Sequence, residues 1–331
     1  MNKNGFIIII VVVLVLVILG ICIRGRHRRR HVETEGYDGK EKYILYYSYG
    51  GLIHNLYTID LQVQLAKKYN RTLLIYSKLN QFQIDFDDIF YIDDPELKYK
   101  TDKDLAGVNG ELLINNEIPF KHYKDIEANW SIIKDKMGFR YKNKKFLGID
   151  HKEDQADIDI VIYKHVSKWS LSGKNSANIK IHPAILQQIH SKAINAPYIG
   201  AHYRNTDNKN DIKKSFKQIH KQLKTHKHIK TLFLATDDHS SVDKFRNEFN
   251  DKIDRFICYN KIGTNNGKPL HKIPMRSNEK LQQHVDALTD MYLLYKSDVF
   301  IPSKNTSWTN FISFWRDRRP SRGDALTGLF D

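Results

Sequence analysis

Three short clusters hold the side chains whose types and spacing could do chemistry. H-Y-R-N-T-D, residues 202–207, ends an apolar, β-prone run. His202 and Arg204 are two apart, so in an extended chain their side chains point the same way. An arginine there can fork onto phosphate oxygens, and Asp207, with Asp211 a little further on, adds carboxylates in the following loop. A surface Arg–Asp ion pair accounts for the same residues equally well. A-T-D-D, residues 235–238, ends the next such run, where Asp237 and Asp238 either face a ligand or cap the helix that follows. The third cluster lies within 286–308. Asp290 stands between apolar helix positions, and Thr306 and Ser307 precede a last helix. Their hydroxyls and amides can face an anion at its positive end, although an ordinary N-cap explains them more simply. Taken together, the clusters outline a cleft with cationic, hydroxyl and carboxylate groups, as a nucleoside diphosphate requires.

These residues need a scaffold that brings strand ends together. Y-I-L-Y-Y at 43–47 reads as a strand, S-Y-G-G breaks it, and Leu56, Ile59, Val63 and Ala66 recur at helical spacing before the strand R-T-L-L-I-Y at 71–76. This is a βαβ unit with Gly50 and Gly51 in its first turn. Residues 77–195 read as loops and short elements, with I-K-I-H-P near 179–183 as a strand end or hinge. From Pro197 the alternation is regular. Strands Y-I-G-A-H-Y, T-L-F-L-A-T, D-R-F-I-C-Y and D-V-F-I-P alternate with helices marked by Ile212–Phe216–Ile219–Leu223, Val242–Phe245–Phe249 and Leu281–Val285–Leu288–Tyr292–Tyr295. Such alternation implies an α/β fold with a parallel sheet covered on both faces. Ligands then bind at the carboxyl ends of the strands, where all three clusters fall.

Ahead of this body, Phe6 to Ile23 form an apolar run broken only by Gly20, stopped by R-G-R-H-R-R-R-H. At 1.5 Å per residue it spans ~27 Å, close to a thin bilayer. It is longer than a signal-peptide core and lacks a small-x-small cleavage site, so a single-pass anchor in a Golgi- or ER-type membrane is expected. The layout is a tail at 1–5, an anchor at 6–23, a basic, polar stem at 24–40, and two Rossmann-like domains at 41–195 and 196–331. The arginines after the span favour a cytosolic body, as does the lone Cys258. The sequons at Asn70, Asn129 and Asn305 argue the other way, so the side of the membrane stays open. With 53 basic and 38 acidic residues the net charge is +15, and residues 1–31 hold six of the cations and no acid, leaving +9 on the remainder. That excess suits an anionic ligand but is diffuse, and no nucleic-acid partner is expected. Two cysteines exclude a disulfide scaffold.

The order H-x-R-x-T-D, then L-A-T-D-D, then D-x-x-x-L-x-x-S-D-x-F with T-S-W, resembles the fucosyltransferases with an H-x-R-x-x-D signature. These are the α1,6-, α1,2- and protein O-fucosyltransferase relatives. G-G-L-I-H-N-L and L-A-K-K-Y-N-R-T-L-L-I are similar to their first turn, helix and second strand. The resemblance covers about residues 43–76 and 197–316. It implies a GT-B-like fold, GDP-fucose as donor, inversion at the anomeric carbon, no required cofactor or metal, and a glycan or glycoprotein acceptor. By the same resemblance Arg204 grips the β-phosphate, His202 lies beside the nucleoside, and Asp237 and Asp238 match the acids of A-T-D-D. Asp290 reads the guanine edge, and Thr306 and Ser307 lie near the diphosphate. Gly50, Gly51 and Asn55 match the first turn. Asn205 stands where many relatives carry a second arginine, Leu56 replaces the first-turn glutamine, and Tyr49 replaces a glutamate of some protein O-fucosyltransferases. The base must then come from elsewhere, with Asp211 first, and Asp207 and His54 in reserve.

Two other readings compete. D-F-D at 85–87 and D-I-D at 157–159 could be D-x-D sites of a metal-dependent GT-A transferase. A membrane-anchored protein with a dead transferase fold would bind glycan or nucleotide and transfer nothing.

Overall fold

The computed structural model describes residues 41–48, 51–78, 82–104, 109–114, 118–122, 160–161, 178–206, 210–259, 273, 275–304, 306–317 and 329–330. The first βαβ unit is present: β1 (Tyr43–Tyr47), α1 (Leu52–Lys68) and β2 (Thr72–Tyr76), with β1 and β2 parallel. Helix α1 stops at Asn70, which takes a left-handed φ of 49°. Arg71 N–H then reaches back to Ala66 O at 2.9 Å and Asn70 N–H to Lys67 O at 3.3 Å. This double closure satisfies carbonyls that a helix end leaves bare.

The span read as loops contributes more sheet than expected. β3 (Phe90–Ile92) pairs antiparallel with β8 (Ile179–Ile181). β4 (Tyr99–Thr101), β5 (Asn109–Ile114), β6 (Ile118–His122) and β7 (Ile160–Val161) extend the first sheet to six strands in the order β4-β2-β1-β7-β5-β6. The runs are short, so no period in the sequence announces them. After β8, α2 (Pro183–His190) starts with proline in its first turn.

The second sheet follows the expected alternation: β9 (Tyr198–Tyr203), α3 (Ile212–Thr225), β10 (Thr231–Thr236), α4 (His239–Phe249), β11 (Arg255–Ile257), α5 (Ser277–Lys296), β12 (Val299–Ile301) and α6 (Ser307–Asp317). Its four strands are parallel, in the order β11-β10-β9-β12. Alternate residues serve opposite faces. Ile199, Ala201, Tyr203, Leu232 and Leu234 pack with Ile219, Phe245 and Phe249 of α3 and α4. Tyr198, Phe233 and Ala235 join a core with Leu288, Met291 and Leu294 of α5 and Phe311 and Ile312 of α6. That same core includes Ile44, Leu56, Ile59, Val63 and Leu73 of the first βαβ unit, and Tyr57 meets Phe311 edge-on at 5.5 Å. The last helix therefore packs against the first.

The expected membrane segment, 6–23, lies outside the described residues. Among the described residues no helix is long and apolar enough to cross a membrane.

Gly200 is where the end of α5 closes on β9. A Cβ there would lie 2.8 Å from both Ser297 Cβ and Ser297 Oγ. Gly200→Ala is expected to lower stability by about 1–3 kcal/mol, the usual cost of overpacking, read from denaturant midpoints.

Candidate active site

β9 and β10 run side by side with His202 opposite Ala235 and Tyr203 opposite Thr236. Their ends bring H-Y-R-N-T against A-T-D-D. Asp237 binds this turn through three groups. It accepts from Asn205 N–H at 2.9 Å and Thr206 Oγ1 at 2.6 Å, and it lies 3.8 Å from Arg204 Nε. Arg204 is held from the backbone as well: its N–H donates to Ser303 Oγ at 3.2 Å, and its carbonyl accepts from Asn210 Nδ2 at 2.9 Å.

Asp238 caps α4. It accepts from Ser240 N–H at 3.0 Å, Ser240 Oγ at 2.7 Å, Asn205 Nδ2 at 2.7 Å and the Ser241 hydroxyl. Burial pushes its carboxyl up, but the bonds from Ser241, Ser240 and Asn205 outweigh that and leave it below its ordinary value. The sequence offered two roles for this pair of acids. The structure gives the cap to Asp238 and the arginine to Asp237, and Asn205 ties the two together.

His202 is buried beneath this turn. Its Nδ1 lies 3.0 Å from Thr309 Oγ1, and its ring sits 5.9 Å from that of Trp308. Burial, with Arg204 adding to it, pushes the imidazole down to about 3. The ring is therefore neutral near pH 7 and can position a ligand but not carry a proton there. Thr306 is the N-cap of α6, since its Oγ1 accepts from Thr309 N–H at 3.0 Å and its carbonyl from Asn310 N–H at 3.1 Å. The amino end of α6 thus stands beside the end of β9. Ser303 and Thr309 escaped the sequence reading. Thr309 lies three residues beyond the cap, on the first turn, but its bond to His202 spans 107 positions.

Asp290 stands on α5, which packs against β9, β10 and α6. It is 4% exposed, and its Oδ1 has no hydrogen-bond partner. Burial, with Asp286 nearby, raises its carboxyl well above the ordinary range. A buried carboxyl without a partner from the protein is costly and suits a ligand that brings N–H donors.

Asp211 caps α3 by accepting from Lys213 N–H at 3.0 Å, with its carboxylate otherwise exposed. In the first turn, Asn55 is nearly fully buried. Its Oδ1 accepts from the Tyr46 hydroxyl, and its Nδ2 donates to Gly51 O at 2.9 Å. Gly51 is the N-cap of α1, and nothing lies within 4 Å of where its Cβ would be. His54 is pushed down by burial. Asp207, Gly50 and the side chain of Ser307 lie outside the described residues.

No protein-family model and no curated protein matches the sequence. Solved structures do match. NodZ α1,6-fucosyltransferase co-crystallized with GDP aligns with a TM-score of 0.51 and 16% identity, covering 83% of this chain and 92% of that one. NodZ from Bradyrhizobium gives 0.51 and 16%, with coverage of 82% and 92%. POFUT1 in complex with GDP gives 0.53 and 12%, covering 86% of this chain and 97% of the other. The fold is fucosyltransferase-like.

It is the mixed α/β, GT-B-like architecture that the resemblance implied, and it is similar also to NodZ soaked with GDP-fucose and to POFUT1 in complex with GDP-fucose. The acidic triplet D-F-D has a local account here. Asp85 is fully buried and accepts from Asp87 N–H at 3.0 Å and Lys103 N–H at 3.2 Å. Among the described residues no three His, Cys, Asp or Glu side chains group as metal ligands would. D-I-D lies outside them.

Two outcomes follow from the titrating groups. Asp238 titrates lower in the folded state than in the unfolded one, so its contribution is present at neutral pH and lost on acidification. Asp238→Ala is expected to cost about 1 kcal/mol in urea unfolding near neutral pH, with the deficit shrinking in acid. Asp290 titrates higher when folded, so it destabilises the empty protein increasingly as pH rises. Asp290→Asn should raise the ligand-free thermal midpoint, by a margin that widens from acidic to neutral pH.

Proposed function

We propose that this protein is a membrane-anchored inverting fucosyltransferase that moves fucose from GDP-fucose to a glycan or protein hydroxyl. The observation that carries the reading is Arg204, fixed by Asp237 and Ser303 at the end of β9 beside the capped amino end of α6. Breaking the bond from sugar to diphosphate builds negative charge on the leaving phosphate. A preorganised guanidinium and helix amides stabilise that charge without reorganising. The GDP- and GDP-fucose-bound neighbours support a nucleotide of this kind.

In this reading Asp290 accepts from the N1–H and N2–H₂ edge of guanine, which would supply the donors its carboxyl lacks. Neutral His202 lines the nucleoside, and Thr306 and Ser307 face the diphosphate. Arg204, held by Asp237, and the amides at the head of α6 take up the phosphate charge, so no metal is assigned a role. The acceptor hydroxyl loses its proton to a carboxylate in a single displacement. Asp211, exposed at the head of α3, is the first candidate for that base and Asp207 the second. Residues 6–23 hold the enzyme to the bilayer.

The test is GDP release from a panel of sugar nucleotides. GDP-fucose should be preferred and EDTA should be without effect, whereas preference for a UDP-sugar would overturn the assignment. Arg204→Ala should lower turnover at least ~10²-fold, and near-normal transfer by that variant would remove the arginine from the mechanism.

A further inference from the structure

Helix α5 carries more buried polar groups than its place in the core explains. It has 20 residues, about 30 Å of helix, and runs directly into β12. Its last turns therefore lie at the start of the second sheet. Its first turns overshoot the carboxyl ends of those strands. There it meets the segment that leaves the carboxyl end of β2. His284 Nε2 donates to Phe82 O at 2.9 Å, and the two rings stack at 4.5 Å. The loop beyond the carboxyl end of β2 thus meets α5 where the helix passes the carboxyl ends of the second sheet, the region in which ligands of such sheets bind.

Around this turn, three polar atoms have no partner. Lys280 is fully buried, and its Nζ makes no hydrogen bond. Gln283, one turn on and 7% exposed, has an unpartnered Nε2, and Gln83, next to Phe82, has an unpartnered Oε1. His284, pushed down to about 4 by burial, is neutral and adds no second charge beside the amine. The set is thus two donors on α5, one of them cationic, and one acceptor in the segment that meets this turn through Phe82. A carboxylate or phosphate fits the donors, and a neighbouring hydroxyl fits the glutamine oxygen. A neutral sugar would leave the amine uncompensated.

We propose that Lys280, Gln283 and Gln83 form a subsite for the anionic group of a sugar, so that the acceptor is an acidic glycan. The acceptor assignment rests on the transferase reading above; the subsite itself does not. The donors are sealed from water in the empty protein, so the sugar enters with local opening of the wall and recovers hydrogen bonds the empty site lacks.

The experiment titrates the full chain in detergent with glucuronate, glucose 6-phosphate and glucose, and separately with GDP, by calorimetry. At least one of the two anionic sugars should bind ~10-fold or more tightly than glucose. Lys280→Met should erase that preference while keeping GDP affinity, and should melt higher than wild type when empty, because it removes a buried amine without a partner. If Lys280→Met does not fold, Gln283→Leu makes the same comparison. Equal affinity for the three sugars, or an anionic preference unchanged in the variant, would overturn the subsite. Failure of wild type to bind GDP would overturn the nucleotide reading instead, and the sugar comparison would still stand.

Discussion

The candidate site depends on one carboxylate. Asp237, at the end of β10, holds the chain that leaves β9 by the Asn205 amide, the Thr206 hydroxyl and the Arg204 side chain. A strand end is otherwise the least constrained part of a parallel sheet, since its last amides have no ladder to join. Here a short polar turn is bonded on one side to β10 and on the other to Ser303 beyond β12. The backbone that carries Arg204 is thereby fixed, with its guanidinium 3.8 Å from Asp237. Preorganisation of this kind is what the role proposed for Arg204 requires.

The fold turns the two sheets into parts of one structure through its last two long helices. Their apolar residues share a core with α1, β1 and β2 as well as with β9 and β10. α5 buries more than apolar side chains, however. Lys280, Gln283, His284, Thr289 and Asp290 are all buried on it. A helix serving only as a spacer would place leucines there. Polar groups kept in such positions at a cost in stability are a mark of a ligand-binding element.

Much of this was legible in the sequence, and what was not has a physical reason. The βαβ unit at 43–76 and the alternation after Pro197 were readable because short continuous apolar runs mark the strands and apolar spacings of three and four mark the helices. The cluster at 202–207 and the acids at 237–238 stood out because charged residues end apolar runs. The division of labour between Asp237 and Asp238 was not readable, since it depends on Asn205 sending its backbone N–H to the first and its side-chain amide to the second. Nor were Ser303 and Thr309, whose partners lie across the sheet. The strands between 90 and 161 were missed because runs of two to six residues are too short to register, whereas I-K-I near 179 was read as a strand end and is β8. The burial of Lys280 was hidden for a different reason: a lysine near the start of an amphipathic helix reads as solvated unless a distant loop covers it.

The double duty of α6 has a mechanical consequence. Its cap at Thr306 borders the proposed diphosphate site, while Phe311, a turn further along, is wedged against Tyr57 of α1. A rocking motion between the two sheets cannot leave this rod indifferent. Either it travels with α1 and pulls its amino end away from the phosphates, or the aromatic wedge must slip. Were the sheets to rock and the proposed nucleotide to sit at Thr306, the two would be coupled through the packing of Phe311 on Tyr57.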